Sequence, residues 1–166
     1  MQVLLVRHAA AEERDAARYP DDTQRPLTKG GARRFGTMLR TMRSSMPTID
    51  RLLSSRYARA WQTAEIVARR LGCGDPVRCH AMEEQGVGAM FDALREHAID
   101  DVGCVALVGH EPHISAFAAT LIAGQSAAAL NMRVRKGTII ALRFDDHIVA
   151  GAAVLEWMIA PRVVGG

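Results

Sequence analysis

Val3-Leu4-Leu5-Val6-Arg7-His8-Ala9 is the stretch on which the fold turns. Four consecutive apolar residues leave no polar face, which is the pattern of a strand covered on both sides, as in a parallel sheet. The run stops at a cation and a titratable ring. The same grammar recurs downstream. Ile49 to Ser54 forms a short apolar run that leads into Ser54-Ser55-Arg56-Tyr57-Ala58-Arg59, and Cys104-Val105-Ala106-Leu107-Val108 ends at Gly109-His110. In an open α/β sheet, ligands bind beyond the carboxyl ends of the strands. Two histidines and two arginines from three separate segments therefore converge on one rim.

Helices fill the spaces between these strands. The segment from Ala10 to Arg25 is charged and patternless and reads as a loop. Thr28 then offers an N-cap, and Ala32, Phe35, Leu39, Met42 and Met46 follow at helical spacing until Pro47 closes the run. Ala60, Ala64, Val67 and Leu71 mark a second helix stopped by Gly72 and Gly74, with Ser54 and Ser55 read as its caps. Val77 to Cys79 is a candidate third strand, and Met90, Leu94 and His97 or Ala98 a third helix. Pro112 opens the helix carrying Phe117, Leu121 and Ile122. From Thr138 the pattern changes: Thr138 to Phe144 and Ala152 to Ile159 flank Asp145-Asp146-His147 as an edge hairpin. The order β-α-β-α-β-α-β-α-β-β implies a three-layer α/β/α sandwich, with a mostly parallel sheet and an antiparallel edge strand, in a single domain over residues 1–166.

Composition narrows the field. The charge excess of +3 is small and scattered, which argues against a nucleic-acid partner. Cys73, Cys79 and Cys104 are odd in number and lack metal-type spacing, so neither a disulfide scaffold nor a structural zinc is expected. Ile114 to Met132 is uncharged, but it is alanine-rich and interrupted by polar residues; it reads as a buried helix followed by a loop rather than a membrane span. The start lacks a basic region before its four-residue apolar run and does not read as a signal peptide, so a cytoplasmic location without membrane contact is expected. The basic residues are lopsided, with 19 Arg among the 21 and only Lys29 and Lys136 besides. Arginine presents a planar fork of donors suited to phosphate.

Two guanidiniums form a bidentate clamp for a tetrahedral dianion. A neutral histidine between them is a nucleophile that needs no metal. A second histidine, if protonated, adds positive charge to the equatorial oxygens in the transition state. Together these parts describe phosphoryl transfer through a covalent phosphohistidine. His110 and His113 are three apart around Glu111, too thin a set for a metal site, and no metal or cofactor is expected. His80, His97, His113 and His147 read as ordinary polar or packing residues, and Trp61 as a partly covered helix aromatic.

These residues resemble the motifs of the histidine phosphatase superfamily, which has the phosphoglycerate-mutase-like fold. The family's Arg-His-Gly appears here as Arg7-His8-Ala9, with alanine at the glycine position. Its Ser…Arg-Ala-x-Gln-Thr pattern appears as Ser54 to Thr63, and its second histidine as His110 in Gly109-His110-Glu111-Pro112. The chain looks most like the short SixA-type phosphohistidine phosphatases, with Arg25-Pro26-Leu27-Thr28-Lys29-Gly30-Gly31 matching Arg-Pro-Leu-Thr-x-x-Gly. The resemblance covers residues 1 to about 123. It implies that His8 is the phosphate-accepting nucleophile, that Arg7, Arg59 and His110 bind the transferring phosphoryl group, and that Arg25 adds a further phosphate contact. The Ala-x-Gln-Thr register favours Arg59 over Arg56. It also implies a carboxylate acid after the third strand, where Glu84 is preferred to Glu83 by its spacing to Gly88.

The expected activity is removal of phosphate from phosphohistidine on a histidine-phosphotransfer protein of two-component signalling. About 50 residues separate Arg59 from His110, too few to build a deep lid over a small phosphate ester. A phosphohistidine expels imidazole, a better leaving group than an alkoxide, so it depends less on the acid. Two readings compete with this one: a general small-molecule phosphomonoesterase with the same site, and a non-catalytic phosphate-binding module, suggested by Ala9.

Overall fold

Gln2–Arg7 forms strand β1, and all four residues of its apolar run are buried. The structure, a computed structural model, describes residues 1–83, 86–99 and 101–161. Its further elements are α1 (Lys29–Met42), β2 (Arg51–Ser54), α2 (Ala58–Leu71), β3 (Val77–Arg78), α3 (Gly86–His97), β4 (Cys104–Gly109), α4 (His113–Ala123), β5 (Ile139–Arg143) and β6 (Val154–Ile159). The strands form one sheet in the order β3-β2-β4-β1-β5-β6. β1 to β4 are mutually parallel, while β5 runs antiparallel to both β1 and β6. The expected three-layer sandwich with its antiparallel edge is present.

The pleat sorts the apolar runs onto two faces. Val3, Leu5, Val105 and Leu107 point to one side, where Met90 and Leu94 of α3 and Phe117 and Leu121 of α4 cover them. Leu4, Val6, Ala106 and Val108 point to the other, against Phe35 and Leu39 of α1 and Ala60, Ala64 and Val67 of α2. Each fully buried Leu or Phe contributes roughly 1.5–3 kcal/mol relative to exposure. Strands buried on both faces have no polar alternation, which is why unbroken runs encode them.

The boundaries follow local chemistry. Thr28 caps α1, its hydroxyl accepting from the N–H of Gly31 at 2.9 Å. A side chain at Gly31 would collide with the carbonyl of Ala10, so the helix start can lie against the loop only with glycine there. Gly72 ends α2 in the left-handed conformation at φ 76°. Several expectations need adjustment. α1 stops at Met42, and a 3-10 turn at Arg43–Ser45 replaces the expected last helical turn before Pro47. β2 begins at Arg51 rather than Ile49. β3 has only two residues, both exposed at the sheet edge. The uncharged stretch resolves into α4 and a 3-10 segment, Gly124–Ala129. Among the described residues no helix is long and apolar enough to cross a membrane.

Candidate active site

β2, β4 and β1 are adjacent, and their register sets the site. Arg7 lies opposite Gly109, and Ser54 opposite Val108. Pairing continues one residue beyond the strands: the N–H of His8 donates to the Gly109 carbonyl at 3.0 Å, and that of Ser55 to the Val108 carbonyl at 3.1 Å. His8, Ser55 and His110 therefore leave the sheet at one level, and His8 and His110 line a cavity of about 480 Å³ with Arg7, Arg59 and Arg25.

His8 Nδ1 is 2.8 Å from the carbonyl of Ala9. A carbonyl only accepts, so Nδ1 carries the proton and Nε2 keeps its lone pair. Burial, the cations Arg59, Arg7 and Lys136, and that one backbone bond together leave the His8 pKa at about 3, burial being the largest influence. His110 is lowered to about 2, again chiefly by burial, then by His8 and Arg59. Both rings are neutral near pH 7. The ring centroids of His8 and His110 are 5.2 Å apart, and Tyr57 packs on His110 at 4.8 Å. Nε2 of His110 lies 2.9 Å from the Ser55 hydroxyl, whose oxygen accepts from the N–H of Tyr57. The expectation that Ser54 and Ser55 cap α2 is corrected here. The N-cap of α2 is Tyr57, with no side-chain cap bond, and Ser55 instead bridges the turn to His110.

The arginines are fixed by backbone carbonyls and one carboxylate. Arg7 donates to the carbonyl of Val134 at 2.6 Å. Arg59 donates to the carbonyl of Asp22 at 2.8 Å and pairs with its carboxylate at 3.3 Å. Arg25 holds the same carboxylate at 2.8 Å and the carbonyl of Glu12 at 2.7 Å. Burial lowers the pKa of Arg7 and Arg59 from the ordinary range, for Arg59 with help from Arg25; a guanidinium stays charged regardless. Among the described residues Nε of Arg7, Nε of Arg59 and Nδ1 of His110 are buried without a protein partner. Buried polar groups are normally paired, so an oxyanion among them would supply acceptors that the protein does not.

The Ala-x-Gln-Thr pattern has a mechanical meaning. Arg59 at 7% exposure reaches the cavity from the first turn of α2, while Arg56 is exposed and lies over the Trp61 ring. One turn on, Gln62 accepts the N–H of Leu27 at 2.8 Å, tying the loop to α2. Thr63 accepts the N–H of Ala9 at 3.0 Å and donates to the carbonyl of Arg59 at 2.6 Å. The methyl of Ala9 belongs to the apolar cluster beneath α1 and α2, and Ala9 does not line the His8 cavity.

The carboxylate positions divide. Glu84 lies outside the described residues. Glu83 accepts from Arg78 through both oxygens, at 3.0 and 2.9 Å, and from the N–H of Arg56 at 2.9 Å. The hydrogen bonds from Arg78 hold its pKa below the usual carboxylate range, and it does not line the His8 cavity. Sequence reasoning missed Asp22 and Lys136, both in the cavity lining; neither sits in a periodic pattern. His113, read as ordinary, lines an adjoining cavity of about 360 Å³ with Tyr57, Arg59 and His110. Among the described residues no three His, Cys, Asp or Glu side chains group to hold a metal.

A sheet of this order, with two histidines and two arginines at one rim, defines a class. The model of the histidine phosphatase superfamily (branch 1) matches residues 3–101, and the chain belongs to that family. An uncharacterised protein of Picosynechococcus sp. is 34% identical over 145 residues, covering 86% of this chain and 85% of its own. Among solved structures, the protein histidine phosphatase SixA complexed with tungstate superposes with a TM-score of 0.83 at 24% identity, covering 98% of this chain and 99% of that one. Mycobacterial glucosyl-3-phosphoglycerate phosphatase in complex with VO3 superposes at 0.67 with 14% identity, covering 93% and 96%. At these identities the structural likenesses are likenesses of fold.

Proposed function

We propose that the chain is a metal-independent phosphohistidine phosphatase that acts on a histidine-phosphotransfer protein. One observation carries the reading: His8 holds its proton on Nδ1 against Ala9, which leaves Nε2 as a neutral nucleophile in a cavity shared with Arg7, Arg25, Arg59 and His110.

In the proposed reaction, the Nε2 lone pair of His8 attacks phosphorus in line with the substrate's P–N bond. A new P–N bond forms on His8 as the old one breaks, and the departing imidazole takes its proton from water. Arg7 and Arg59 hold the equatorial oxygens, Arg25 extends the clamp, and His110 stands beside the transferring group. Water then attacks the phosphoryl group on His8, giving inorganic phosphate and returning the His8 lone pair. A low pKa at His8 keeps the nucleophile unprotonated across the physiological range, and an imidazole leaving group relaxes the need for a carboxylic acid. That fits a site in which Glu83 is engaged elsewhere.

The test is brief exposure to a phosphotransfer domain labelled on histidine, followed by quenching in base. Label is expected on His8, lost in His8→Asn, with phosphate released by the wild type on longer incubation. Absence of both label and release beside a working control phosphatase would overturn the reading.

A further inference from the structure

A second cavity opens on the other side of Arg7. It measures about 460 Å³ and shares Arg7 and Lys136 with the His8 cavity. Arg34 from α1, with Arg133 and Arg135 from the segment before β5, completes a set of five cations, and among the described residues no carboxylate lines it. Arg34, Arg133, Arg135 and Lys136 are exposed, and among the described residues none of them pairs with a carboxylate. Like charges gathered in one concave wall repel each other and focus a positive potential, which an anion relieves. Ala9, Ala10, Val134, Ala160 and Pro161 supply an apolar lining between the cations. The described lining consists of cations and apolar residues with Gly31, a set suited to binding an anion.

We propose that this cavity is a second oxyanion site, which takes an acidic side chain carried by the protein whose phosphohistidine enters the His8 cavity. The substrate half of the proposal rests on the phosphohistidine reading above. Forked guanidiniums match a carboxylate, and the apolar lining suits the methylene stem that bears it. Because Arg7 and Lys136 belong to both linings, the two anions would sit on either side of one shared cationic wall. The site then selects substrates with an acidic residue beside the phosphohistidine over those with a neutral one.

The test uses the double variant Arg34→Gln/Arg133→Gln, which leaves Arg7 and Lys136 intact. First, inorganic phosphate bound per chain is counted by equilibrium dialysis. Two are expected for the wild type and one for the variant; one for both overturns the second site. Next, two phosphohistidine peptides are compared that differ only in glutamate or glutamine beside the phosphohistidine. For the glutamate peptide the variant is expected to raise KM about tenfold, the scale of losing charge-assisted contacts, with kcat unchanged; for the glutamine peptide neither constant moves. Equal changes for both peptides, or none, overturn the assignment of the ligand. Turnover of neither peptide by the wild type overturns the phosphohistidine reading instead, and the phosphate count still decides the site.

Discussion

The Ser55 hydroxyl lies 2.9 Å from Nε2 of His110, joining residues 55 positions apart across the β2 and β4 strand ends. Among the described residues Nδ1 of the same ring has no hydrogen-bond partner, so this bond, with the Tyr57 ring packed on the imidazole, holds the ring's orientation from within the protein. Ser55→Ala removes it together with the hydroxyl to which the N–H of Tyr57 donates. Leaving buried groups unpaired costs about 1–3 kcal/mol each. A fall in kcat of about tenfold or more is expected, with Ser55→Thr retaining part of the activity. Steady-state kinetics on any accepted phosphate substrate decide the point. An unchanged kcat in Ser55→Ala would show that Ser55 does not position His110.

Thr63 supports the nucleophile from the opposite side. Its hydroxyl accepts the N–H of Ala9, whose carbonyl in turn fixes the Nδ1 proton of His8. Thr63→Val keeps the shape and removes the hydrogen bonds. We expect a loss of about 1–3 kcal/mol in unfolding free energy, read by urea denaturation, with a drop in kcat larger than any rise in KM. A variant as stable as the wild type would mean that the Ala9 amide finds another acceptor.

The rim itself was legible because its parts are tied to strand ends: an apolar run followed by Arg7-His8, and another followed by Gly109-His110. Periodicity locates such positions, and topology makes them neighbours. Asp22 was not legible. It sits in a segment with no apolar pattern, and its importance comes from holding Arg25 and Arg59, the latter 37 residues away. Ser55 was misread for a related reason. Serine before a helix is a common cap, and only the placement of β4 beside β2 turns it toward His110. The edge of β2 and the last turn of α1 were misjudged because apolar residues continue past the regular element into buried turns.

The histidines also set a pH dependence. His8 and His110 have folded pKa values of about 3 and about 2, against an ordinary value of 6.5. Between those limits the unfolded chain binds more protons than the folded one, so stability rises with pH. The contribution is complete above pH 6.5 and is lost as pH falls toward the folded values. Each ring adds a slope of up to about 1.4 kcal/mol per pH unit within that window. Urea titrations from pH 4.5 to 7.5 should show this slope, made shallower by His8→Asn. For the same reason, deprotonation of free His8 should not appear near pH 6.5 in kcat/KM. An acid limb centred there that the substrate's own titration does not account for would contradict the buried, neutral ring.

Glu83 provides the last prediction. A general acid needs a proton to give and a place beside the leaving group. Glu83 has neither, since Arg78 and the N–H of Arg56 occupy its oxygens and keep it ionised, and it does not line the His8 cavity. Its hydrogen bonds join the turn after β3 to the turn before α2, which is a structural task. Glu83→Gln is therefore expected to lower stability by about 1 kcal/mol or less, the scale of an exposed ion pair, and to leave kcat within about twofold on phosphohistidine and alkyl phosphate alike. A loss confined to the alkyl phosphate would show that Glu83 delivers a proton after all, because an alkoxide needs one and an imidazole needs it far less. Equal retention on both substrates would place the burden of leaving-group departure on other groups and on the leaving group's own basicity.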